Sequence, residues 1–171
     1  MRIVQINLSC TWGSTGKICD SLSKAMSEQG IENYTFYTYG DNPEGKNNYI
    51  KYGNLFYEKF QALKSRIIGN YGFNSELASL WIINRLKKIN PDIVHIHNIH
   101  SHDCQFAMLF DYLKKNHIKV IYTFHDCWAF TGYCPHFIMA KCNNWLNGCG
   151  NCKQRRQYSW FFDNSAKNFN R

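Results

Sequence analysis

Seven histidines and eight cysteines in 171 residues include the groupings whose spacing could do polar or metal chemistry. His95, His97, His100 and His102 lie close together in "HIHNIHSHD", and His125 stands beside Asp126 in "TFHDCW". His95 and His97 alternate with Val94 and Ile96, so in a strand both rings project from one face. Such an imidazole either packs satisfied in the interior, the commoner outcome, or lines a pocket. No acidic or cysteine side chain stands at a fixed metal-ligand spacing from this group. His97, Asn98 and His100 are placed to line a crevice. His125, with Asp126 next to it, could hydrogen-bond a substrate hydroxyl or a charge that develops during reaction.

The cysteines invite a different chemistry. Cys134, Cys142, Cys149 and Cys152 are separated by seven, six and two residues. The last pair, in "CGNC", has the spacing and glycine of a zinc half-site, whereas the first pair is looser than zinc pairs usually are. A structural zinc, free thiols and disulfide pairs all stay open, and Cys127 is an alternative ligand. No motif pairs a thiol with a base, so catalysis is not their expected role.

"TWGSTGK" offers a third constellation. It fails as a P-loop, because Thr11 stands where the first glycine belongs and Ile18 where a Mg²⁺-binding hydroxyl belongs. The dinucleotide pattern G-x-G-x-x-G is absent too. Gly13 and Gly16 would let backbone N–H groups approach an anion at a helix N-terminus, with Lys17 beside them, or would simply form a tight turn.

The elements that must position these residues follow from periodicity. "RIVQINLS" reads as a strand. A helix runs from Thr15 to Gln29, with Ile18, Leu22 and Ala25/Met26 on one face, Ser14 or Thr15 as cap and Gly30 as stop. "NYTFYTYG" is a second strand, and residues 41–52 read as loop. Phe56, Phe60, Leu63 and Ile67 form a helical stripe, either an ordinary core-facing helix or a surface that docks at an anionic membrane. A helix capped at Ser75 extends to about Lys88, and a strand covers Ile93–His97. A helix with Phe106, Leu109, Phe110 and Leu113 ends near Asn116, and "IKVIYTF" is a fourth, buried strand. Alternating strands and helices predict a Rossmann-like, doubly wound, mostly parallel α/β sheet. In such sheets ligands bind beyond the carboxyl ends of the strands, where all three histidine and glycine loops converge.

Composition narrows the setting. A hydrophobic content of 44% and an aromatic content of 16% describe one globular domain. No segment reads as a signal peptide or a membrane span, so the expected location is the cytoplasm, with reduced thiols. The formal net charge of +8 is dispersed, without a run of like charges. It suits a polyanionic partner: nucleic acid, the phosphates of a nucleotide sugar, or an acidic membrane surface.

Taken together, "WGSTGKI", "YGFNS", "PDIVHIHNIH" and "TFHDCWAFTGYC", followed by "C…W…GCGNC", resemble the N-terminal half of family-4 glycosyltransferases. The likeness covers nearly the whole chain, 1–171, with 133–153 as a Cys-rich loop, and is nearest to the branch that builds bacterial exopolysaccharide and O-antigen sugars. It implies a retaining enzyme of GT-B fold, in which two Rossmann-like domains face each other across a cleft. The N-terminal domain chiefly binds the acceptor, a saccharide or lipid-linked sugar. The C-terminal domain grips the nucleotide-sugar co-substrate through an E-x7-E motif. By the same resemblance Gly13, Gly16 and Lys17 would approach the donor. His125 would stand near the transferred sugar with Asp126 beside it, and His97, Asn98 and His100 would line the acceptor side.

There are departures. No pair among Glu28, Glu32, Glu44, Glu58 and Glu76 has the E-x7-E spacing, and Cys152-Lys153 and Tyr158-Ser159 replace the family's usual "CP" and "YP". The chain is therefore expected to be a truncated or split product that needs a separately encoded donor domain and is inactive alone. It would lie in the cytoplasm, in peripheral contact with the inner face of the plasma membrane. The competing reading is a zinc-stapled basic α/β module that binds nucleic acid, although no nucleic-acid-reading motif appears and none is expected as partner.

Overall fold

The computed structural model describes residues 1–100 and 102–170. The strands β1 (Arg2–Ile6), β2 (Glu32–Tyr37), β3 (Tyr49–Lys51), β4 (Ile93–Ile96) and β5 (Lys119–Tyr122) form one parallel sheet. Their order is β3-β2-β1-β4-β5. Longer helices connect them: α1 (Gly13–Glu28), α2 (Leu55–Ile68), α3 (Glu76–Ile89) and α4 (Phe106–Lys115). Two short ones close the chain, α5 (Arg155–Tyr158) and α6 (Ser165–Phe169). This is the expected Rossmann-like doubly wound α/β sheet. The strand β3 lies in the stretch read as loop. At three residues it is too short to show a period.

The alternation of β1 explains the two layers. Val4 and Ile6 point to one face, where Phe36, Val94 and Ile96 join them against Ile82 and Leu86 of α3 and Leu109 and Leu113 of α4. Each fully buried aliphatic side chain in this cluster contributes roughly 1.5–3 kcal/mol. Gln5 points to the other face, in register with Thr35 of β2 and His95 of β4, and hydrogen-bonds the Cys19 carbonyl of α1. One face of the sheet is thus apolar and the other carries a polar row. β5 is an edge strand whose Val120 and Ile121 are exposed, so the expectation of a buried fourth strand is corrected.

The helix α2 also departs from expectation. Its apolar stripe does not face the core. Phe56 is 82% and Phe60 56% exposed, Leu63 and Ile67 are exposed as well, and the buried positions are Glu58, Gln61 and Ser65. The cause lies at its ends. Asn54 caps the N-terminus through the Phe56 N–H, and Gly69, with φ +77, closes the other end. The carbonyls left over there are taken by later chain: Trp160 N–H reaches Arg66 O at 2.7 Å, Asn164 Nδ2 reaches Ile68 O at 2.7 Å, and Tyr133 O–H and Asn168 Nδ2 reach Gly69 O at 3.2 Å. Unsatisfied helix-end carbonyls are costly when buried, and satisfying them fixes which side of α2 turns inward.

Gly72 ties this region to the strand ends. A Cβ there, at φ +81, would lie 2.2 Å from Trp128 Cζ2. Gly72→Ala is expected to lower the unfolding free energy by about 1–3 kcal/mol, measured by urea denaturation. An unchanged midpoint would show that Trp128 is free to shift.

Candidate functional site

The site begins with an amide. Gln5 is fully buried, and its Nε2 donates to the Cys19 carbonyl at 3.0 Å and to Thr35 Oγ1 at 3.3 Å. Its oxygen is thereby turned to His97 Nε2, 3.3 Å away. A carbonyl oxygen only accepts, so His97 carries its proton on Nε2 and leaves Nδ1 bare. That Nδ1 lies 2.9 Å from His125 Nε2, which must therefore be the donor. His125, half-buried beyond the end of β5, is left with Nδ1 as its free acceptor. The two rings are also stacked, their centroids 5.2 Å apart, and His95 lies against His97 at 4.0 Å. His95 Nε2 is 2.8 Å from Thr123 Oγ1.

This assignment requires neutral rings. Burial, then the neighbouring His95 and His125, push His97 down to about 3. Burial, with His125, lowers His95. Burial lowers His125 against the opposing pull of Asp126. At neutral pH the chain from Gln5 to His125 is uncharged, and a proton can be taken or held at His125 Nδ1.

A second pair stands alongside. His100 Nε2 is 2.7 Å from Asp126 Oδ2, and Trp128 N–H donates to Asp126 Oδ1 at 2.9 Å. Burial acts to raise Asp126, but His100 and the Trp128 N–H outweigh it and hold the carboxyl below its usual range. The carboxylate thus fixes the His100 ring and starts the turn that carries Trp128. His100 and His102 both pack against Tyr71.

The loop after β1 is joined to this site by Asn7. Its Oδ1 accepts from Asn98 N–H at 3.1 Å, and its Nδ2 donates to Ser9 O at 2.7 Å and Thr15 Oγ1 at 3.3 Å. Gly13 is exposed, with φ +69 and open space where a side chain would be. Gly16 is buried, and a Cβ would lie 2.6 Å from Ser9 Oγ, so its lack of a side chain serves the close approach of helix and loop. Lys17 is exposed on the first turn of α1.

The structure therefore brings His97 to His125 and His100 to Asp126, and links Asn98 to the glycine loop through Asn7. Lys17 and Gly13 lie at the rim, outside these hydrogen-bond chains. A groove of about 520 Å³ lined by Ile83, Met108 and Tyr112 belongs to the opposite face of the sheet and holds no such cluster. Sequence reasoning missed Gln5 and Asn7. The signal was a polar side chain inside an otherwise apolar strand, at a position whose burial only the second layer reveals. Cys134, Cys142, Cys149 and Cys152 line a single small cavity, whereas Cys127 lies outside its lining, its N–H bonded to Pro135 O.

The chain was compared with known proteins. The model of the family described as Glycosyltransferase Family 4 matches residues 15–167. Neither the curated proteins nor the solved structures returned a match.

A buried neutral histidine makes stability pH-dependent. Unfolded His97 binds a proton below its ordinary value of 6.5, but the folded form does so only near 3. Between these limits the unfolded state holds more protons, so stability is full above 6.5 and falls as the pH drops towards 3. His102, held near 4 by burial and Arg66, acts in the same direction. Urea midpoints measured from pH 7 to pH 4 are expected to decline, and less steeply in His97→Gln. Parallel declines would show that His97 is not the group responsible.

Proposed function

We propose a sugar-transfer role for this chain, which belongs to glycosyltransferase family 4: it supplies the acceptor-side surface on which a glycosyl group moves from a nucleotide sugar to a saccharide or lipid-linked acceptor. The observation that carries this reading is the uncharged hydrogen-bond chain from Gln5 through His97 to His125, at the end of the sheet where ligands of such folds bind.

In the reaction the bond from the anomeric carbon to the diphosphate oxygen breaks, and the acceptor hydroxyl oxygen bonds to that carbon. The nucleoside diphosphate leaves with the electron pair, and the hydroxyl proton passes to its departing oxygen. His125, its orientation set by His97, meets the reacting sugar and offers Nδ1 to a hydroxyl or, when protonated, a positive charge to developing negative charge. Asn98 and His100 line the acceptor side, while Gly13, Gly16 and Lys17 border the donor phosphates. Retention of anomeric configuration and a role in cell-surface polysaccharide synthesis are part of the proposal. So is a donor-gripping domain with an E-x7-E pair. The family match gives the nucleic-acid alternative no support.

We place the acceptor at an anionic membrane, on the inner face of the plasma membrane. Among the described residues no helix is long and apolar enough to cross a bilayer. The outward stripe of α2 is flanked by exposed Lys59 and Arg66, and Trp160, Phe161 and Phe162 add exposed aromatic surface near its C-terminal end. Apolar side chains ringed by cations fit an acidic lipid surface by burial and charge together.

Two measurements test these readings. Nucleoside diphosphate release from a panel of nucleotide sugars, with an acceptor extract and a donor domain added, is expected to fall about 100-fold or more in His125→Ala. An unchanged rate removes His125 from the chemistry, and no release from any nucleotide sugar overturns the sugar-transfer reading. In sedimentation with phosphatidylglycerol vesicles the chain is expected to pellet, and a Phe56→Glu, Phe60→Glu variant to stay in solution. Failure of the unaltered chain to pellet would overturn the membrane assignment, as would α2-dependent dimers in its place.

A further inference from the structure

We propose that Cys134, Cys142, Cys149 and Cys152 bind one structural zinc ion, which staples the turns between Cys134 and Cys152 to one another, next to Tyr133, whose hydroxyl holds the end of α2. The four side chains come from separate turns, yet all line one cavity of about 20 Å³, enough for a single atom or water.

The lining is chemically selective. Tyr133, Phe137 and Trp145 form apolar walls. Two of the polar groups that also border the cavity are already used: Asn144 Nδ2 donates to Gly150 O at 2.8 Å, and Ser165 Oγ accepts from Gly150 N–H at 3.0 Å and donates to Asp163 Oδ1 at 2.6 Å. The Trp145 indole N–H is buried without a partner. A buried water needs two to four good hydrogen-bond partners, and thiols are poor ones. Four cysteines lining one small, mostly apolar cavity are the ligand set that zinc takes in structural sites.

The backbone is shaped for the same purpose. Lys141, just before Cys142, has φ +45, and Cys149 and Asn151 have φ +62 and +47 between Gly148, Gly150 and Cys152. Non-glycine residues hold such conformations only where the surroundings require them. Gly132 N–H points at Cys149 Sγ, 3.2 Å away, the interaction that stabilises a metal-bound thiolate. Among the described residues no group of three or more His, Cys, Asp and Glu side chains already stands at metal-holding separation. Binding therefore requires the four thiols to move closer together. Each thiol loses its proton as a thiolate–zinc bond forms, so four protons are released for each ion bound, and the site takes a net charge of −2. Lys141, Lys153, Arg155 and Arg156 lie on the same segment, and Asp163 accepts from Cys152 N–H at 2.7 Å.

The inference rests on the thiols alone and stands or falls independently of sugar transfer. The full chain, purified reduced and without chelator, is expected to carry about one zinc per molecule by elemental analysis. Cys134→Ser and Cys149→Ser are expected to lose the metal and Cys127→Ser to retain it. If the first two variants do not fold, Co²⁺ added to the chelator-stripped chain serves in their place. Intense thiolate-to-cobalt absorption with the bands of a tetrahedral ion, abolished by Zn²⁺, supports the site. A metal-free chain that also gives no cobalt absorption would overturn it. Loss of metal in Cys127→Ser, or two disulfides by intact mass, would do so equally.

Discussion

A buried amide must place every hydrogen-bonding group inside the protein, and Gln5 does this at the centre of the sheet. Its neighbours in register, Thr35 and His95, and the Cys19 carbonyl of α1 above it leave one acceptor pointing along the sheet to His97. Shifting the pairing of β1 by one residue would turn Val4 or Ile6 to that face and leave His97 without its partner. The same register puts the apolar cluster and the polar row on opposite faces. Core packing and site chemistry are therefore consequences of one alignment, and the proton positions on His97 and His125 descend from it.

Neutrality is the physical theme of that row. Three imidazoles packed this closely could not all be charged, and burial makes the charged form of each less favourable. What results is a relay of uncharged groups ending at a half-exposed ring, beside a carboxylate already engaged by His100 and Trp128. Asp126 consequently spends its charge on holding the loop, and His125 keeps its outer nitrogen available. The two adjacent residues of "HD" thus divide positioning from contact with substrate.

The second organising region is the C-terminal end of α2. Its carbonyls draw in Tyr133, Trp160, Asn164 and Asn168, so the Cys-rich segment and the end of the described chain are moored to one helix. Mooring by hydrogen bonds turns the polar side of α2 inward, where Glu58, Gln61 and Ser65 are buried, and sends its aromatic side outward. A helix whose hydrophobic stripe faces solvent loses the burial that usually orients such stripes. Here the end-capping interactions supply the orientation instead, and the stripe is free to meet a surface outside the domain. Trp128, wedged at Gly72, carries the arrangement from α2 to the loop of Asp126.

Much of this architecture is written locally. Strand runs, the helical periods of α1 and α3 and the β-branched "DIVHI" each follow from propensity and period, and with them the parallel α/β order. The expected cap at Ser14 or Thr15 does not, since α1 begins at Gly13 with Trp12 as its N-cap and no side-chain cap bond. The alternation of His95 and His97 with Val94 and Ile96 was enough to put both rings on one face, because a strand has a period of two whatever surrounds it. The "HD" and "CGNC" motifs were equally visible. Other properties depended on partners far away in sequence: that Gln5 orients His97, that Asn7 joins two loops, that β5 is an edge, and that four cysteines share one cavity. The stripe of α2 marks the limit most clearly. Periodicity established that Phe56, Phe60, Leu63 and Ile67 share a face, since that is a property of the helix alone. Which way the face points depended on donors from Tyr133, Trp160, Asn164 and Asn168, residues whose arrival at the helix end only tertiary packing could decide.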